Sequence, residues 1–277
     1  MRSLFTSLLR LTRSGNLLII AITQYTAVEF LVNPALVYDW RLLVLCASTL
    51  MIAGGGYIIN DYYDIKIDLI NRPERVVIGK SITRRYALLY HTLLSFTGTA
   101  LGFLVGWKLG VANFASAFLL WLYSNSLKRL PFVGNLAVAL LTGASLVVLL
   151  LLDGYHDKVI LYALFAFSMT LIREIIKDME DLKGDHTFGC KTLPIVWGLL
   201  RTKLLLYFLI VLFAGGILAI NRFVMPLPLT YFEVFLFLPL ALLALYLIRA
   251  DTKRDFQLLS LACKIIMILG VASMAII

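Results

Sequence analysis

The hydrophobic residues of this chain fall into long runs that are separated by short polar segments. Each run is about 20 residues long, the length at which an α-helix crosses the hydrocarbon layer of a bilayer. The pattern therefore predicts an all-α, polytopic membrane protein in which a single domain, residues 1–277, forms a helical bundle. We expect about nine membrane-spanning helices, at residues 16–35, 41–61, 87–106, 109–126, 134–153, 157–177, 199–220, 228–249 and 257–277.

The composition excludes a soluble protein. Hydrophobic residues make up 61% of the 277 residues and charged residues 15%, whereas a soluble domain is about half apolar and a quarter charged. The net charge of +9 would suggest a nucleic-acid partner for a soluble protein, but cytoplasmic loops of membrane proteins also collect Lys and Arg. We therefore expect no nucleic-acid partner. The three cysteines show neither metal-ligand spacing nor a disulfide framework, and we interpret them as structural.

If the nine spans alternate in direction, the segments that connect them lie on two sides of the membrane. The basic residues are distributed unequally between these two sides. With the N-terminus in the cytoplasm, 20 of the 25 Lys and Arg residues fall in cytoplasmic segments, beginning with Arg2, Arg10 and Arg13. This positive-inside bias predicts a cytoplasmic N-terminus and an external C-terminus. The first span lacks a small-residue cleavage site, so we interpret it as an anchor rather than a signal peptide. In a prokaryote the protein is expected in the inner or plasma membrane.

The acidic residues concentrate in two short windows at predicted cytoplasmic helix ends. Nine of the 16 Asp and Glu residues lie within 61–74 and 174–185. At each window, a set of polar residues recurs at helical spacing and therefore shares one helix face; the first set begins one residue before its window. The two sets are Asn60, Asp64 and Asp68, and Asp178, Asp181 and Asp185. The windows predict an active site at a mouth of the bundle that faces the cytoplasm.

Several like charges on one helix face are destabilising, so these carboxylates imply a bound cation. Oxygen ligands without His or Cys at metal spacing favour Mg²⁺ or Ca²⁺. An EF-hand is excluded, because Tyr63 is third in the series that starts at Asp61 and no glycine is sixth. Mg²⁺ held by a few carboxylates and by substrate phosphates fits better, and the surrounding Lys and Arg side chains suit phosphates. The alternative is that these residues are solvated loop charges.

Three segments of the chain carry a resemblance to a known family. Residues 60–75, Asn-Asp-Tyr-Tyr-Asp-x-x-x-Asp-x-x-Asn-Arg-Pro-x-Arg, resemble the first signature of the UbiA superfamily of intramembrane prenyltransferases. Residues 181–193, Asp-x-x-x-Asp-x-x-x-Gly-x-Lys-Thr-Leu, resemble its second signature, and residues 123–135 are similar to its central loop. Arg13 and Asn16 lie where this family often has Arg and Asn. The resemblance covers essentially the whole chain.

Within the superfamily, residues 173–185 resemble the archaeal-type digeranylgeranylglyceryl phosphate synthases. Enzymes with aromatic acceptors usually have Tyr where this chain has Lys177. The resemblance implies Mg²⁺-dependent transfer of a prenyl group, geranylgeranyl, from prenyl diphosphate to a lipophilic acceptor, geranylgeranylglyceryl phosphate. One loop departs from the family pattern. The usual Arg-Pro-Leu-Pro-Ser-Gly reads Arg-Val-Val-Ile-Gly-Lys at 75–80, in a loop that is expected to shape the substrate pocket.

The resemblance also implies two metal positions at the two acidic windows. One Mg²⁺ is expected at residues of the first window and a second at residues of the second window. The expected ligands are Asn60, Asp64 and Asp68 for one ion, and Asp181 and Asp185 for the other.

Further residues are expected to handle the substrates. Asp61 and Asp178 support the metal positions and are both candidates for the general base, between which the sequence does not choose. Tyr123 either orients the diphosphate or is one of many interfacial tyrosines. Basic residues are expected to hold the phosphates of the donor and the acceptor. They are Arg72, Arg75, Lys80, Lys128, Arg129, Arg173, Lys177 and Lys191.

Two other functions are compatible with parts of the pattern. The first is prenylation of an aromatic acceptor, as in quinone synthesis; the residue pattern of the haem-directed members is absent. The second is a membrane transporter, whose ionisable residues usually lie near the bilayer midplane. Here the midplane contains little beyond Glu29 and Glu233, both toward the outer side.

Overall fold

The structure is a computed structural model that describes residues 4–277. Arg2, one of the predicted cytoplasmic cations, lies outside the described residues. Residues 4–277 contain no β-strand, only an isolated bridge between Ile78 and Ile82, and the all-α prediction is confirmed. The α-helices are α1 (Leu4–Leu11), α2 (Ser14–Ala27), α3 (Trp40–Asn71), α4 (Arg84–Val105), α5 (Trp107–Asn125), α6 (Val133–Val147), α7 (Leu150–Asp153), α8 (Asp157–Glu180), α9 (Leu182–Thr187), α10 (Leu193–Phe223), α11 (Leu229–Phe232), α12 (Leu238–Arg249) and α13 (Lys253–Ser273).

Helices occupy all nine predicted spans. Within the described chain, eight helical segments are long and apolar enough to cross a membrane. They are Ser14–Val32, Trp40–Asn71, Arg84–Val105, Val133–Asp153, Asp157–Glu180, Leu193–Phe223, Leu229–Arg249 and Lys253–Ser273. The remaining predicted span, 109–126, forms most of the 19-residue helix α5. This helix is less apolar because it contains Lys108, Asn113 and Asn125.

Some of the membrane-spanning segments are interrupted by other helical turns. Helix α2 continues into a π-helical turn, Val28–Val32, which a 3₁₀ turn, Pro34–Tyr38, follows. A second π-helical turn, Glu233–Phe237, joins α11 to α12. In α10, Gly198 has a φ of 75°, a left-handed conformation that glycine adopts without strain, and it kinks the helix. The predicted span at 199–220 begins immediately after this kink.

The chain divides into two compact units. The first unit consists of Met1–Lys128 and Ser145–His156, and the second of Arg129–Ala144 and Asp157–Ile277. Helices α1 to α5 and α7 belong to the first unit, α8 to α13 belong to the second, and most of α6 belongs to the second. The single domain that the sequence suggests stays a prediction.

In the first unit, α3 packs against α4 and α5 through small and polar side chains. A Cβ atom at Gly98 of α4 would lie 2.9 Å from the carbonyl oxygen of Ser48, so glycine permits the close approach of α4 to α3. Asn113 of α5 donates from Nδ2 to Ser48 Oγ (3.0 Å) and to the Gly98 carbonyl oxygen (3.1 Å). Small residues and interhelical hydrogen bonds are how helices associate in lipid. They hold α3, which carries the first acidic window.

In the second unit, α8 packs against α10 and α13. The ring of Phe165 on α8 lies beside Gly270 of α13, where a Cβ atom would come within 2.3 Å of the ring. The same ring makes an edge-to-face contact with Phe213 of α10, with 5.4 Å between the ring centroids. Tyr162 and Ser273 share a buried hydrogen bond of 2.5 Å between α8 and α13. These contacts fix α8, which carries most of the second acidic window.

Candidate active site

The first carboxylate cluster, defined as Asp61, Asp64 and Asp68, lies in the last three turns of α3. With 32 residues, α3 is about 48 Å long, whereas the hydrocarbon layer of a bilayer is about 30 Å thick. The extra length accommodates the acidic end of the helix outside the hydrocarbon layer. Because the apolar part of α3 is packed against α4 and α5, the three carboxylates stand on a rigid support.

Asp61 is paired with Arg13, in the turn between α1 and α2. Arg13 Nη2 donates to Asp61 Oδ1 at 2.7 Å, and the guanidinium carbon lies 4.9 Å from the centre of the Tyr57 ring. Desolvation lowers the pKa of Arg13, but the charge and hydrogen bond of Asp61, together with the charges of Tyr57 and Asp68, outweigh it and raise the pKa above the usual value. Arg13 also has a φ of 52°, an uncommon backbone conformation for a residue other than glycine. The turn therefore directs a permanent positive charge toward the first cluster.

Asp64 is paired with Lys128, in the short 3₁₀ turn Leu127–Arg129 after α5. Both side chains are largely buried, with relative exposures of 10% for Lys128 and 15% for Asp64. A buried ion pair is held firmly, because breaking it would leave an unpaired charge out of water. The first cluster and Lys128, a predicted phosphate ligand, therefore lie in direct contact within the first unit.

The donor chemistry of the first cluster fits Mg²⁺. Among residues 4–277, no group of three or more His, Cys, Asp or Glu side chains is arranged to hold a metal ion. Mg²⁺ is often bound by only one or two carboxylates while waters and substrate phosphates complete its shell. Carboxylate oxygens of this cluster already bind the cationic groups of Arg13 and Lys128. The residues thus provide hard oxygen ligands in a place that attracts positive charge.

The second carboxylate cluster, defined as Asp178, Asp181 and Asp185, spans the end of α8 and the short helix α9. Helix α8 ends at Glu180, so the three residues are not on one continuous helix. Two backbone hydrogen bonds bridge the break, from Asp181 N to the Lys177 carbonyl oxygen (2.9 Å) and from Asp185 N to the Asp181 carbonyl oxygen (3.1 Å). The helical spacing predicted for this set is therefore approximately kept.

Asn135 is a site residue that sequence reasoning missed. Its Nδ2 atom, on α6, donates to Oδ2 of Asp178 at 2.9 Å, and Asn135 is buried. A carboxylate that accepts a hydrogen bond from a buried amide has a defined orientation. The only signal in the sequence was that Asn135 belongs to the segment 123–135, which resembles the central loop of the UbiA superfamily.

Two predicted phosphate ligands, Arg129 and Lys191, are joined through their backbones. Lys191 N donates to the carbonyl oxygen of Arg129 at 2.8 Å. Gly189, with a φ of 69°, makes the turn that brings the chain after α9 to this position. The structure thereby connects the central loop with the end of the second signature inside the second unit.

Arg173 and Lys177, also predicted phosphate ligands, share one buried carboxylate. Arg173 Nη1 donates to Glu174 Oε1 at 2.6 Å, and Lys177 Nζ donates to Glu174 Oε2 at 3.1 Å. Glu174 is 7% exposed, so this bridge positions both basic side chains. The sequence indicates the two cations and counts Glu174 among the acidic residues, but it does not show that Glu174 bridges them.

The remaining predicted site residues lie in the first unit. Arg72 follows α3, where its N donates to the Asp68 carbonyl oxygen at 2.7 Å. Arg75 is exposed. Lys80 donates from Nζ to the carbonyl oxygen of Pro73 at 2.8 Å. Tyr123 lies near the end of α5, which leaves its orienting role a prediction.

The Arg13–Asp61 pair yields a prediction about stability. We expect Arg13→Gln to lower the free energy of unfolding by about 1–3 kcal/mol, the usual cost of a charged group that loses its partner. Adding Asp61→Asn should restore part of the loss, because the carboxylate that lost its partner is then neutral. Thermal unfolding of the two single variants and the double variant in detergent measures the coupling. Arg85→Gln, which alters an exposed arginine of α4, is the control; additive effects of Arg13→Gln and Asp61→Asn would contradict the prediction.

Comparisons with known proteins identify relatives of this chain. The UbiA prenyltransferase family matches residues 20–261. Digeranylgeranylglyceryl phosphate synthase of Methanothermobacter thermautotrophicus is 38% identical over 162 residues, which are 58% of this chain and 58% of that protein. The protein of the same name from Methanosphaera stadtmanae is 35% identical over 185 residues, 67% of this chain and 68% of that protein. The matched region thus spans between about half and two thirds of these curated relatives.

Solved structures share the fold. A structure concerned with digeranylgeranylglyceryl phosphate synthase in membranes has a TM-score of 0.69 at 22% identity, over 98% of this chain and 97% of that one. A UbiA homolog from Archaeoglobus fulgidus, solved with DMAPP and Mg²⁺, has a TM-score of 0.63 at 16% identity, over 98% and 100% of the two chains. The predicted polytopic membrane fold is confirmed, and the protein is an integral membrane protein. With a match that extends over most of its length, this chain belongs to the UbiA prenyltransferase family.

Proposed function

We propose that this protein transfers a geranylgeranyl group from geranylgeranyl diphosphate to geranylgeranylglyceryl phosphate. The observation that carries the proposal is that carboxylates and basic side chains are paired at the ends of α3 and α8 in a chain of the UbiA prenyltransferase family. The curated relatives named digeranylgeranylglyceryl phosphate synthase support this acceptor. Lys177, where aromatic-acceptor enzymes usually have Tyr, supports it as well.

In the proposed reaction, the bond between the allylic carbon and the diphosphate oxygen breaks and diphosphate leaves with the electron pair. The hydroxyl oxygen of the acceptor forms a new ether bond to that carbon, and the hydroxyl proton passes to a carboxylate. Asp61 and Asp178 are the two candidates for this base. Apolar side chains of the helices surround the prenyl chain and exclude water from the reacting carbon.

Mg²⁺ is the proposed cofactor, with Asn60, Asp64 and Asp68 as ligands in the first unit and Asp181 and Asp185 as ligands in the second. Two structures of a UbiA homolog from Archaeoglobus fulgidus, one with GPP and Mg²⁺ and one with DMAPP and Mg²⁺, support this choice. Bound Mg²⁺ supplies positive charge that stabilises the departing diphosphate.

The basic residues are proposed to divide between the two substrates. Lys128, which contacts the first cluster, and Arg129, which adjoins it in sequence, suit the oxygens of the diphosphate. Arg72 and Lys177 are further candidates for the diphosphate. In the second unit, Arg173 and Lys177 suit the phosphate of the acceptor, and Glu174 holds both in place. In the first unit, Lys80 is a further candidate for a phosphate.

We also propose that the N-terminus and the active site face the cytoplasm and that the C-terminus faces outward. The excess of Lys and Arg in alternate connecting segments supports this orientation. Labelling of single cysteines placed in the segments 72–83 and 154–156 would test it. The orientation predicts that an impermeant thiol reagent reaches the first segment only from the cytoplasmic side and the second only from outside.

An acceptor screen tests the proposed function. Membranes that contain the protein are incubated with labelled geranylgeranyl diphosphate, Mg²⁺ and one acceptor at a time: geranylgeranylglyceryl phosphate, an aromatic acid, or haem. We expect an ether product with the glycerophosphate alone, and none from membranes that lack the protein. Product formed only with the aromatic acid would refute the assignment and favour a role in quinone synthesis.

A further inference from the structure

A polar pocket of about 280 Å³ lies between α1 and the loop that follows α3. Its lining includes two basic side chains, Arg10 and Lys80, and two hydroxyl groups, those of Ser7 and Ser81. The carboxylate of Glu74 completes the polar lining. All of these residues belong to the first unit. The basic and hydroxyl-bearing residues thus suit an anion, and Glu74 adds one hydrogen-bond acceptor.

The packing of α1 holds the residues that line this pocket in place. Leu11 of α1 is fully buried in a cluster with Ile58 of α3 and with Val77 and Ile78 of the loop. The loop is closed by a hydrogen bond from Gly79 N to the Ile82 carbonyl oxygen, 2.8 Å long. Because helix and loop share one apolar core, the polar groups that they present to the pocket keep their relative positions.

The exposed side of α1 indicates that the pocket lies at the membrane surface. Phe5 and Leu9, one helical turn apart, are 68% and 40% exposed, while Ser7 and Arg10 line the pocket on another face. A short helix with one apolar and one polar face lies in the interface between lipid and water. A ligand with its polar head in this pocket could therefore keep an apolar chain in the bilayer.

The charges favour a phosphate monoester over the phosphodiester of a membrane lipid. A monoester carries between one and two negative charges near neutral pH, whereas a diester carries one. The cations of Arg10 and Lys80 suit the larger charge, because the neighbouring Arg75 offsets the charge of Glu74. Glu74, which lies 3.9 Å from Arg75, can accept a hydrogen bond from a free hydroxyl group. A glycerol phosphate with one ether chain has both features: a monoester and a free hydroxyl.

We propose that this pocket is the docking site through which the prenylglycerol phosphate acceptor enters from the membrane. The inference rests on the proposed function, since it names the place where that acceptor first binds. Arg10 and Lys80 hold its phosphate, the hydroxyl group of Ser7 contributes a hydrogen bond, Ser81 lies at the rim, and the apolar chain stays in the lipid. The loop concerned includes residues 75–80, where this chain departs from the family pattern.

Thiol protection tests the pocket without turnover. Cys46, Cys190 and Cys263 are buried, so Ser81→Cys adds an accessible thiol at the exposed rim. In nanodiscs without Mg²⁺ or donor, geranylgeranylglyceryl phosphate should slow the labelling of this cysteine by a charged maleimide. Inorganic phosphate and phosphatidylglycerol should not slow it at the same concentration. Equal protection by either of these two, or no protection by the acceptor, would overturn the proposal.

Substitutions in the lining test the same proposal with a matched control. On the Ser81→Cys background, Arg10→Gln and Lys80→Gln should each raise the acceptor concentration for half-protection about tenfold, as expected for a lost charged hydrogen bond. Glu74→Ala should also raise it, because the hydroxyl loses its acceptor, whereas Arg85→Gln should not change it. Unchanged half-protection in Arg10→Gln and Lys80→Gln would overturn the proposal.

The two proposals fail in different ways. If the acceptor protects the cysteine but is never prenylated in the screen, the proposed function fails and the docking site stands. If the acceptor is prenylated with the same KM by wild type, Arg10→Gln and Lys80→Gln, the function stands and the docking site fails.

Discussion

Asp64→Ala and Asp181→Ala are each expected to abolish prenyl transfer, with kcat/KM at least about 10³-fold below wild type. Each variant removes a proposed metal ligand, so the charge that develops on the departing diphosphate loses part of its stabilisation. Asp64→Ala also leaves the buried ammonium of Lys128 without its partner. The measurement is the initial rate of labelled product formation in nanodiscs at saturating Mg²⁺.

The control for this prediction lies on α8, the helix that carries Asp178 of the second cluster. Asp157→Asn changes an exposed aspartate at the first residue of α8, at the other end of the helix from Asp178. It should retain near wild-type activity. Membrane extraction and size-exclusion chromatography should show that Asp64→Ala and Asp181→Ala insert normally, since the apolar packing of α3 and α8 is untouched. Activity within tenfold of wild type in either variant would refute the metal-site proposal.

Removal of divalent cations is expected to stop the reaction reversibly. Incubation with EDTA should reduce the rate to below about 1% of that with Mg²⁺, since carboxylates next to a diphosphate repel it unless a cation lies between them. Addition of Mg²⁺ in excess should restore the rate. Titration of activity against free Mg²⁺, at a fixed donor concentration, measures the dependence.

The variant Lys128→Met tests how the Mg²⁺ dependence of the rate responds to loss of the Asp64–Lys128 pair. The Lys128 ammonium binds Oδ1 of Asp64, so it competes with a cation for the negative charge of that carboxylate. We therefore expect half-maximal activity at a lower Mg²⁺ concentration in Lys128→Met, together with a higher KM for the diphosphate, which loses a positive ligand. Arg85→Gln should change neither quantity. A full rate in EDTA, or a Mg²⁺ dependence that Lys128→Met leaves unchanged, would contradict this account.

The main elements of the fold could be predicted because they depend on local composition. A run of about 20 apolar residues has one stable form in lipid, the helix, since its backbone polar groups find no other partners there. The same reasoning placed the end of the first span beyond the π-helical turn Val28–Val32 and began another after Gly198. Helix α5 was found although Asn113 lowers its hydropathy.

The site could be predicted only in part, because spacing along the chain indicates which residues share a helix but not which partners reach them. The Asp64–Lys128 pair joins residues that are 64 positions apart, and the Asn135–Asp178 pair joins residues 43 apart. Glu174 was counted among the acids, but its role as a bridge between Arg173 and Lys177 depends on side-chain conformations. The pocket beside α1 depends on tertiary packing, which a sequence pattern does not show.

The length of α3 has a consequence for how such an enzyme could diversify. Helix α3 is continuous from the apolar segment that packs against α4 and α5 to the carboxylates of the first cluster. The loop that follows Arg72, residues 73–83, packs on α1 through its apolar residues and presents Glu74, Lys80 and Ser81 to the pocket beside that helix. On the docking proposal, mutations of these three residues would alter which lipid is accepted and leave the proposed metal ligands on α3 in place. Acceptor choice and catalytic chemistry would then depend on different segments of the first unit, and a lineage could change the first without rebuilding the second.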